Sequence, residues 1–190
     1  MRRKIKERQI DEILKNLKPN RVALFIIDPK KYHSVHLKIL KGLIKIKKFS
    51  GIYITVNKPY DALFKYLKDN KLPTDNIFFI DAISKSVSNE IRLTENCLYI
   101  PSPSHLTDLG MALTQALESM NRRGDKFLIL DSISTLLVYN DFETVAKFVH
   151  FIISRLRVFG LVGLIISIEK ILDEKMINIL MEMCDEVIEI

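Results

Sequence analysis

The chain has 190 residues, 48% hydrophobic and 27% charged, which is enough for one domain with a sizeable core and too little for two. Charged residues interrupt every apolar run before it reaches bilayer-spanning length, and the basic start Met1–Arg8 leads into an amphipathic pattern rather than a signal peptide, so no membrane partner and a cytoplasmic location are expected. The net charge of +6 is concentrated at residues 2–8 and 30–48; without an accompanying aromatic or arginine cluster it reads first as a lysine-rich solvated surface, and nucleic-acid attraction is the weaker alternative.

Ile10, Ile13, Leu14 and Leu17 recur at helical spacing among charges, predicting an amphipathic helix over 3–17 that Lys18-Pro19-Asn20 ends. Val22–Ile27 reads as a buried strand ending at Asp28-Pro29. His36–Lys48 carries Leu37, Leu40, Leu43 and Ile44 opposite many lysines, as a crossover helix would. A strand over Gly51–Val56 ends at Asn57, and a helix over Tyr60–Lys68 presents Leu63, Phe64 and Leu67 on one face. Ile77–Ile80 is a strand ending at Asp81, and residues 84–96, with no period, read as a loop or lid-like excursion. Cys97–Ile100 is a short strand stopped by Pro101-Ser102-Pro103, and Ser104 and Thr107 are candidate caps for a helix through Ser119. A turn at Asn121–Gly124 precedes a strand over Phe127–Leu130, which runs into Asp131-Ser132. A long helix over Phe142–Val158, a strand over Leu161–Ile166 ending at Ser167, a helix over Lys175–Met183 and a strand over Glu186–Ile190 complete the chain.

Strands alternating with helices predict an α/β fold: a mainly parallel sheet between two helical layers, with right-handed crossovers. The organisation expected is an N-terminal amphipathic helix over residues 1–18 and a core domain over residues 19–190. Asp28, Asn57, Asp81, Asp131 and Ser167 each end a strand, so a parallel sheet gathers them on its carboxyl edge. Two readings stand side by side: a cation or small-ligand site near His33 or His36, and caps for the helices that follow. The pair His33-x-x-His36 has ligand-like spacing but lacks further zinc ligands, so a surface or cap role is expected. Cys97 and Cys184 lack Cys-x-x-Cys spacing and read as buried hydrophobes, and Met176, Met181 and Met183 as core fillers.

Phe127–Asn140, FLILDSISTLLVYN, resembles the Walker B strand of the RecA superfamily, most closely its KaiC-like branch, where a hydrophobic strand ends in Asp-Ser. The resemblance to KaiC-like and RadA-like ATPase domains extends over residues 20–190. It takes in Arg155 and Arg157 near a helix end, Gly160, the strand ending in Ser167, and Asp185–Ile190, which is similar to the family's closing D-x-V-I-x-L strand. An uncharacterised archaeal group with a very similar Asp-Ser-x-x-x-Leu-Leu-x-Tyr-Asn run looks closer still. The resemblance implies a three-layer α/β/α RecA-like domain, a nucleotide site beside Asp131 and Ser132, and an N-terminal element that packs on a neighbouring subunit; the apolar stripe of the N-terminal helix is equally covered if it folds back on its own sheet. Arg155 and Arg157 lie near where such subunits place arginines that reach a neighbour's phosphate, although cations at a helix end also answer its dipole.

Two departures from the family shape the functional expectation. A P-loop needs Gly-x-x-x-x-Gly-Lys-Ser/Thr so that the backbone can approach phosphate, yet residues 28–36 read Asp-Pro-Lys-Lys-Tyr-His-Ser-Val-His with no glycine before Gly42. Ser34 overlies the family's magnesium-binding hydroxyl, and Lys30 or Lys31 offers a substitute charge, but neither restores the cradle. After the second strand, where KaiC-like ATPases carry a glutamate pair, the chain has Asn57-Lys58-Pro59, which cannot take a proton from water as a carboxylate does. The expectation is a non-catalytic pseudo-ATPase domain acting through a protein partner, either itself or a related ATPase. No catalytic residue, cofactor or metal is assigned, and Asp131, Ser132, Ser34 and Lys31 form a vestigial nucleotide site. The alternative is a nucleotide- or metal-binding protein with a glycine-free loop at Asp28–Ser34 acting with Asp131. Nucleic-acid binding through the basic helix is the weaker third.

Overall fold

The computed structural model describes residues 2–88, 90–120, 124–168, 172 and 174–190. Long β-branched and aromatic runs supply the inner strands: β2 (Val22–Ile27), β3 (Ser50–Thr55), β4 (Ile77–Asp81), β6 (Lys126–Asp131) and β7 (Val162–Ile168). Shorter strands lie towards the margins, β1 (Arg2–Lys4) and β8 (Glu186–Glu189) at one side and β5 (Cys97–Tyr99) at the other. Among the described residues they form one sheet of 8 strands in the order β1-β8-β2-β7-β6-β3-β4-β5, and these strands pair in parallel. The helices are α1 (Ile10–Asn16), α2 (Tyr32–Leu40, continued by π-helical turns over Lys41–Ile46), α3 (Tyr60–Asp69), α4 (Ser84–Val87), α5 (Leu106–Ser119), α6 (Ile133–Tyr139), α7 (Phe142–Phe159) and α8 (Glu174–Met183).

Alternation along each strand divides the core in two. Leu24, Ile26, Ile52, Ile54, Leu128, Leu130 and Ile165 face α5 to α8. Phe25, Ile27, Tyr53, Phe127, Ile129, Leu164 and Ile166 face α1 to α3. With both faces covered, the inner strands are apolar at successive positions, which is why they were legible as continuous runs. The α/β architecture expected from the sequence, a parallel sheet between two helical layers, is the architecture observed.

Several local expectations are corrected. The predicted N-terminal helix over 3–17 is an α-helix only from Ile10; a 3₁₀ turn at Glu7–Gln9 and the edge strand β1 precede it. β1 is aligned on β8 by ion pairs of Arg2 with Glu174 and Glu189 and of Arg3 with Glu186, so a strand forms from residues with no apolar alternation. Helix α2 starts at Tyr32, four residues before the predicted His36. Neither Ser104 nor Thr107 caps α5, whose N-cap is His105; the Ser104 hydroxyl lies 2.7 Å from that of Ser102. One turn of helix, α4, falls within 84–96, and α6 follows β6 directly. Of the predicted turn at Asn121–Gly124, residues 121–123 lie outside the described residues. Among the described residues, no helix is long and apolar enough to cross a membrane.

Candidate functional site

The chemistry gathers at the carboxyl edge of β2, β6 and β3. Phe127, Ile129 and Asp131 alternate onto the face covered by α2, so the last of them turns its carboxylate towards that helix. The link from β2 to α2 is short enough to bring Tyr32 and His36, one helical turn apart, over the same spot. Tyr53 rises from β3 beside them, with Ile129 of β6 and Phe79 of β4 as its register neighbours.

Asp131 is almost completely buried, and its Oδ2 accepts hydrogen bonds from the Tyr32 hydroxyl at 2.5 Å and the Tyr53 hydroxyl at 2.5 Å. His36 Nε2 lies 2.6 Å from the Tyr53 oxygen and 3.6 Å from Asp131 Oδ2. The proton order follows from counting donors. Tyr53 has one O–H and gives it to Asp131, so its oxygen accepts from His36 Nε2–H. A neutral imidazole with its proton on Nε2 leaves Nδ1 bare, and His36 Nδ1 and Asp131 Oδ1 are both buried without a partner among the described residues. Burial pushes His36 down to about 4 against the pull of Asp131, consistent with a neutral ring. Burial, reinforced by the Asp131 charge, raises the Tyr32 and Tyr53 phenols well above the ordinary tyrosine range, so both remain donors. The Tyr32 and His36 rings stack with centroids 5.4 Å apart and planes 8° from parallel.

Lys58 closes this box from outside. Its ammonium lies 5.4 Å from the Tyr32 ring centroid and 5.3 Å from that of Tyr66. The turn carrying it is fixed by Thr55, whose hydroxyl donates to the Lys58 carbonyl at 2.6 Å.

The β2–α2 loop has its first amides committed. Pro29 has no N–H, the Lys30 N–H goes to Asp28 Oδ1 at 2.8 Å, and the Lys31 N–H goes to the Asp28 carbonyl at 2.9 Å. The Tyr32 N–H reaches the Pro29 carbonyl at 3.4 Å. Ser34 is exposed, its hydroxyl 3.2 Å from the Glu7 carboxylate and 3.0 Å from the Lys31 carbonyl, which share its one proton, while the Lys31 side chain is exposed. Ser132 is buried, its hydroxyl 3.3 Å from that of Thr135, and its peptide bond to Asp131 is cis.

Of the other strand ends, Asp81 serves the backbone. Asp81 caps α3 through the Tyr60 N–H at 2.6 Å and α4 through the Ile83 and Ser84 N–H groups, both at 2.8 Å. Ser167 bonds Ser134 at 3.1 Å, and Asn57 is exposed. His33 is exposed, but His36 is wholly buried, which corrects the surface role expected for the pair. Among the described residues, no three His, Cys, Asp or Glu side chains converge as a metal site would require. Arg157 is bound to the Met183 carbonyl at 3.1 Å, and Arg155 to Thr114 at 3.1 Å. In the basic segment, Lys38 pairs with Asp11 at 3.2 Å, and Lys47 donates to the carbonyls of Lys15 and Leu17 that end α1.

Sequence reasoning found Asp131 but missed Tyr32, Tyr53 and Lys58. The one signal available was the i, i+4 aromatic pair Tyr32–His36, which is visible only if the helix is started at Tyr32.

Three solved structures similar to this fold come from archaea. The flagellar accessory protein FlaH of Methanocaldococcus jannaschii aligns with a TM-score of 0.56 and 15% identity over 97% of this chain and 77% of its own. The Pyrococcus horikoshii protein PH0250 aligns at 0.62 and 11% identity, over 98% of this chain and 88% of its own. The KaiC-like protein PH0186 of the same organism aligns at 0.58 and 11% identity, over 79% of this chain and 63% of its own. At these identities the likeness is one of fold, and it is a RecA/KaiC-like one. Comparison with proteins of curated function finds no match. A family profile matches residues 53–190, from Tyr53 through Asp131 to the last residue of the chain, and the protein therefore belongs to DUF7504, a family of unknown function.

Proposed function

We propose that this chain is a non-catalytic RecA/KaiC-like domain that works through protein contacts, in which Asp131 anchors helix α2 instead of serving a nucleotide. The observation that carries the reading is the double occupation of Asp131 Oδ2 by Tyr32 and Tyr53. The residues at this edge do not fit a magnesium–nucleotide complex. Aromatic rings fill the space over the carboxylate, Lys58 stands where the family has its glutamates, and the loop amides from Lys30 to Tyr32 are already bonded. A phosphate would have to displace Asp28 from Lys30 and approach its negative charge. Ser34 and Lys31 belong to this reading as remnants that no longer converge on Asp131: the Ser34 hydroxyl is committed to Glu7 and the Lys31 carbonyl.

The test is calorimetric titration of the purified chain with Mg-ATP, Mg-ADP and a non-hydrolysable analogue, alongside the stability of Asp131→Ala. No heat is expected from any nucleotide. The substitution strips the acceptor from two buried phenols and costs on the order of 3 kcal/mol in chemical unfolding. Micromolar binding would favour the glycine-free loop as a working nucleotide site, and ATP turnover abolished by Asp131→Ala would overturn the proposal.

A further inference from the structure

On the far side of the sheet from Asp131, α5 and α7 leave an open groove of about 740 Å³ between them. Its floor is apolar. Gly110 lets the Phe151 ring lie close against α5, a Cβ there coming within 3.2 Å of the ring, and Phe148 continues the floor. Met111 stands on the rim with 61% of its surface exposed. Two charges at one end of the groove are left over. The Arg155 guanidinium lies 5.7 Å from the Phe151 ring and bonds only the Thr114 hydroxyl; its Nε–H is buried without an acceptor, and no carboxylate pairs with it among the described residues. Glu118, one helical turn beyond Thr114, is exposed and makes no hydrogen bond or ion pair among the described residues. Lys147, also on the rim, is already paired with Glu143 at 2.7 Å.

An unpaired acid on α5 and an unpaired base on α7, at the same end of one groove, are complementary to each other in a second copy. Both helices are crossovers of one parallel sheet and run in the same direction. A two-fold axis along the groove therefore lays α5 of one copy over α7 of the other at equal height, and every contact is made twice. Glu118 then meets the partner copy's guanidinium, and Met111 meets the two phenylalanine rings, the thioether–aromatic contact that methionine favours. We infer that the α5/α7 face is a self-association surface on which two copies of this chain pair through reciprocal Glu118–Arg155 contacts and Met111. This deepens the protein-contact reading above and rests on it, naming the partner as the chain itself. The face is small. About 17 Å of helix, two helices wide, is below the standard interface, so the dimer is weak and reversible.

Sedimentation equilibrium of the full chain, from micromolar to near-millimolar concentration, tests the inference. A monomer–dimer equilibrium is expected. Met111→Asp, a change at an exposed position, should abolish it with the thermal transition kept. Glu118→Arg and Arg155→Glu should each weaken it at least tenfold, and the double reversal should restore it to within a few-fold. High salt should weaken the wild type. A monomer at every concentration overturns the inference, as does a dimer indifferent to Met111→Asp or one that the double reversal fails to restore. Should Arg155→Glu not fold, the Met111→Asp and Glu118→Arg results still decide. Nucleotide turnover would defeat the non-catalytic reading without altering the sedimentation result, and a monomer would defeat the dimer without producing turnover, so the two failures are separable.

Discussion

His36 is a buried base that loses by gaining a proton. Burial holds its ring neutral, with lesser contributions from Lys58 and His33, and the nearby Asp131 charge opposes them without prevailing. In the unfolded chain the same ring takes up a proton near pH 6.5, whereas in the folded protein it does so near 4. Between those values the unfolded state binds more protons, so stability falls as the pH drops from 6.5 towards 4 and this loss levels off below 4. The full span is about 3 kcal/mol. Carboxylates titrate over part of the same range, so the His36→Leu difference isolates the ring. The loss of unfolding free energy between pH 7 and 4.5 should be about 2–3 kcal/mol smaller in the variant. Equal losses in the two proteins would mean that His36 is not held neutral in the fold. At this scale the sequence revealed Asp131 through its place after an apolar run, but not what binds it. Tyr53 sits inside β3, where an aromatic residue is read as core, and its hydroxyl finds Asp131 only because β6 is its neighbour in the sheet.

Among the elements, the inner strands owe their order to close packing that secondary-structure propensity does not register. Gly51 of β3 is the register partner of Phe127 on β6, and a Cβ at Gly51 would stand 2.6 Å from atoms of the Phe127 ring, which is wholly buried. Glycine weakens a strand interior, so propensity alone favours Gly51→Val. Packing decides the other way: the ring already covers the backbone at Gly51, and overfilling the site should cost about 2–3 kcal/mol. Pairing the change with Phe127→Leu should recover part of that loss. Urea unfolding of the single and double variants reads both, and a stabilised Gly51→Val would show that the ring does not lie there. The elements hidden from sequence reasoning are those whose partners are distant or whose signal merges with a neighbour. β1 is three basic residues made into a strand by glutamates more than 170 positions away, among them Glu174 at a separation of 172. α6 continues the apolar run of β6 with only Ser132 between them, so no change of period marks its start.

For the whole molecule, the sheet ties the two ends of the chain together. β1 hydrogen-bonds β8, β8 hydrogen-bonds β2, and Asp185 receives both the Val22 N–H and the Arg21 guanidinium at 2.8 Å. Ile10, Ile13, Leu14 and Leu17 are each buried in the core beneath α2, and the π-helical turns of that element admit Leu14 at Gly42, where a Cβ would approach within 2.3 Å. The first eighteen residues, a separable piece by their composition, are therefore proposed to fold and unfold with the rest. Four such side chains contribute roughly 1.5–3 kcal/mol each by burial, about 6–12 kcal/mol together. That sum is comparable with the roughly 5–15 kcal/mol that stabilises a whole domain. Removing residues 1–18 should leave a chain without a cooperative transition, and the intact protein should melt in one step with matching calorimetric and van't Hoff enthalpies. The surface ion pairs of β1 contribute little to this result, since exposed pairs are worth about 0–1 kcal/mol each, so charge removal at Arg2 and Arg3 should leave the single transition in place. A truncated chain over 19–190 that melts within a few degrees of the whole would return the N-terminal helix to the status of an appendage and free it to pack elsewhere.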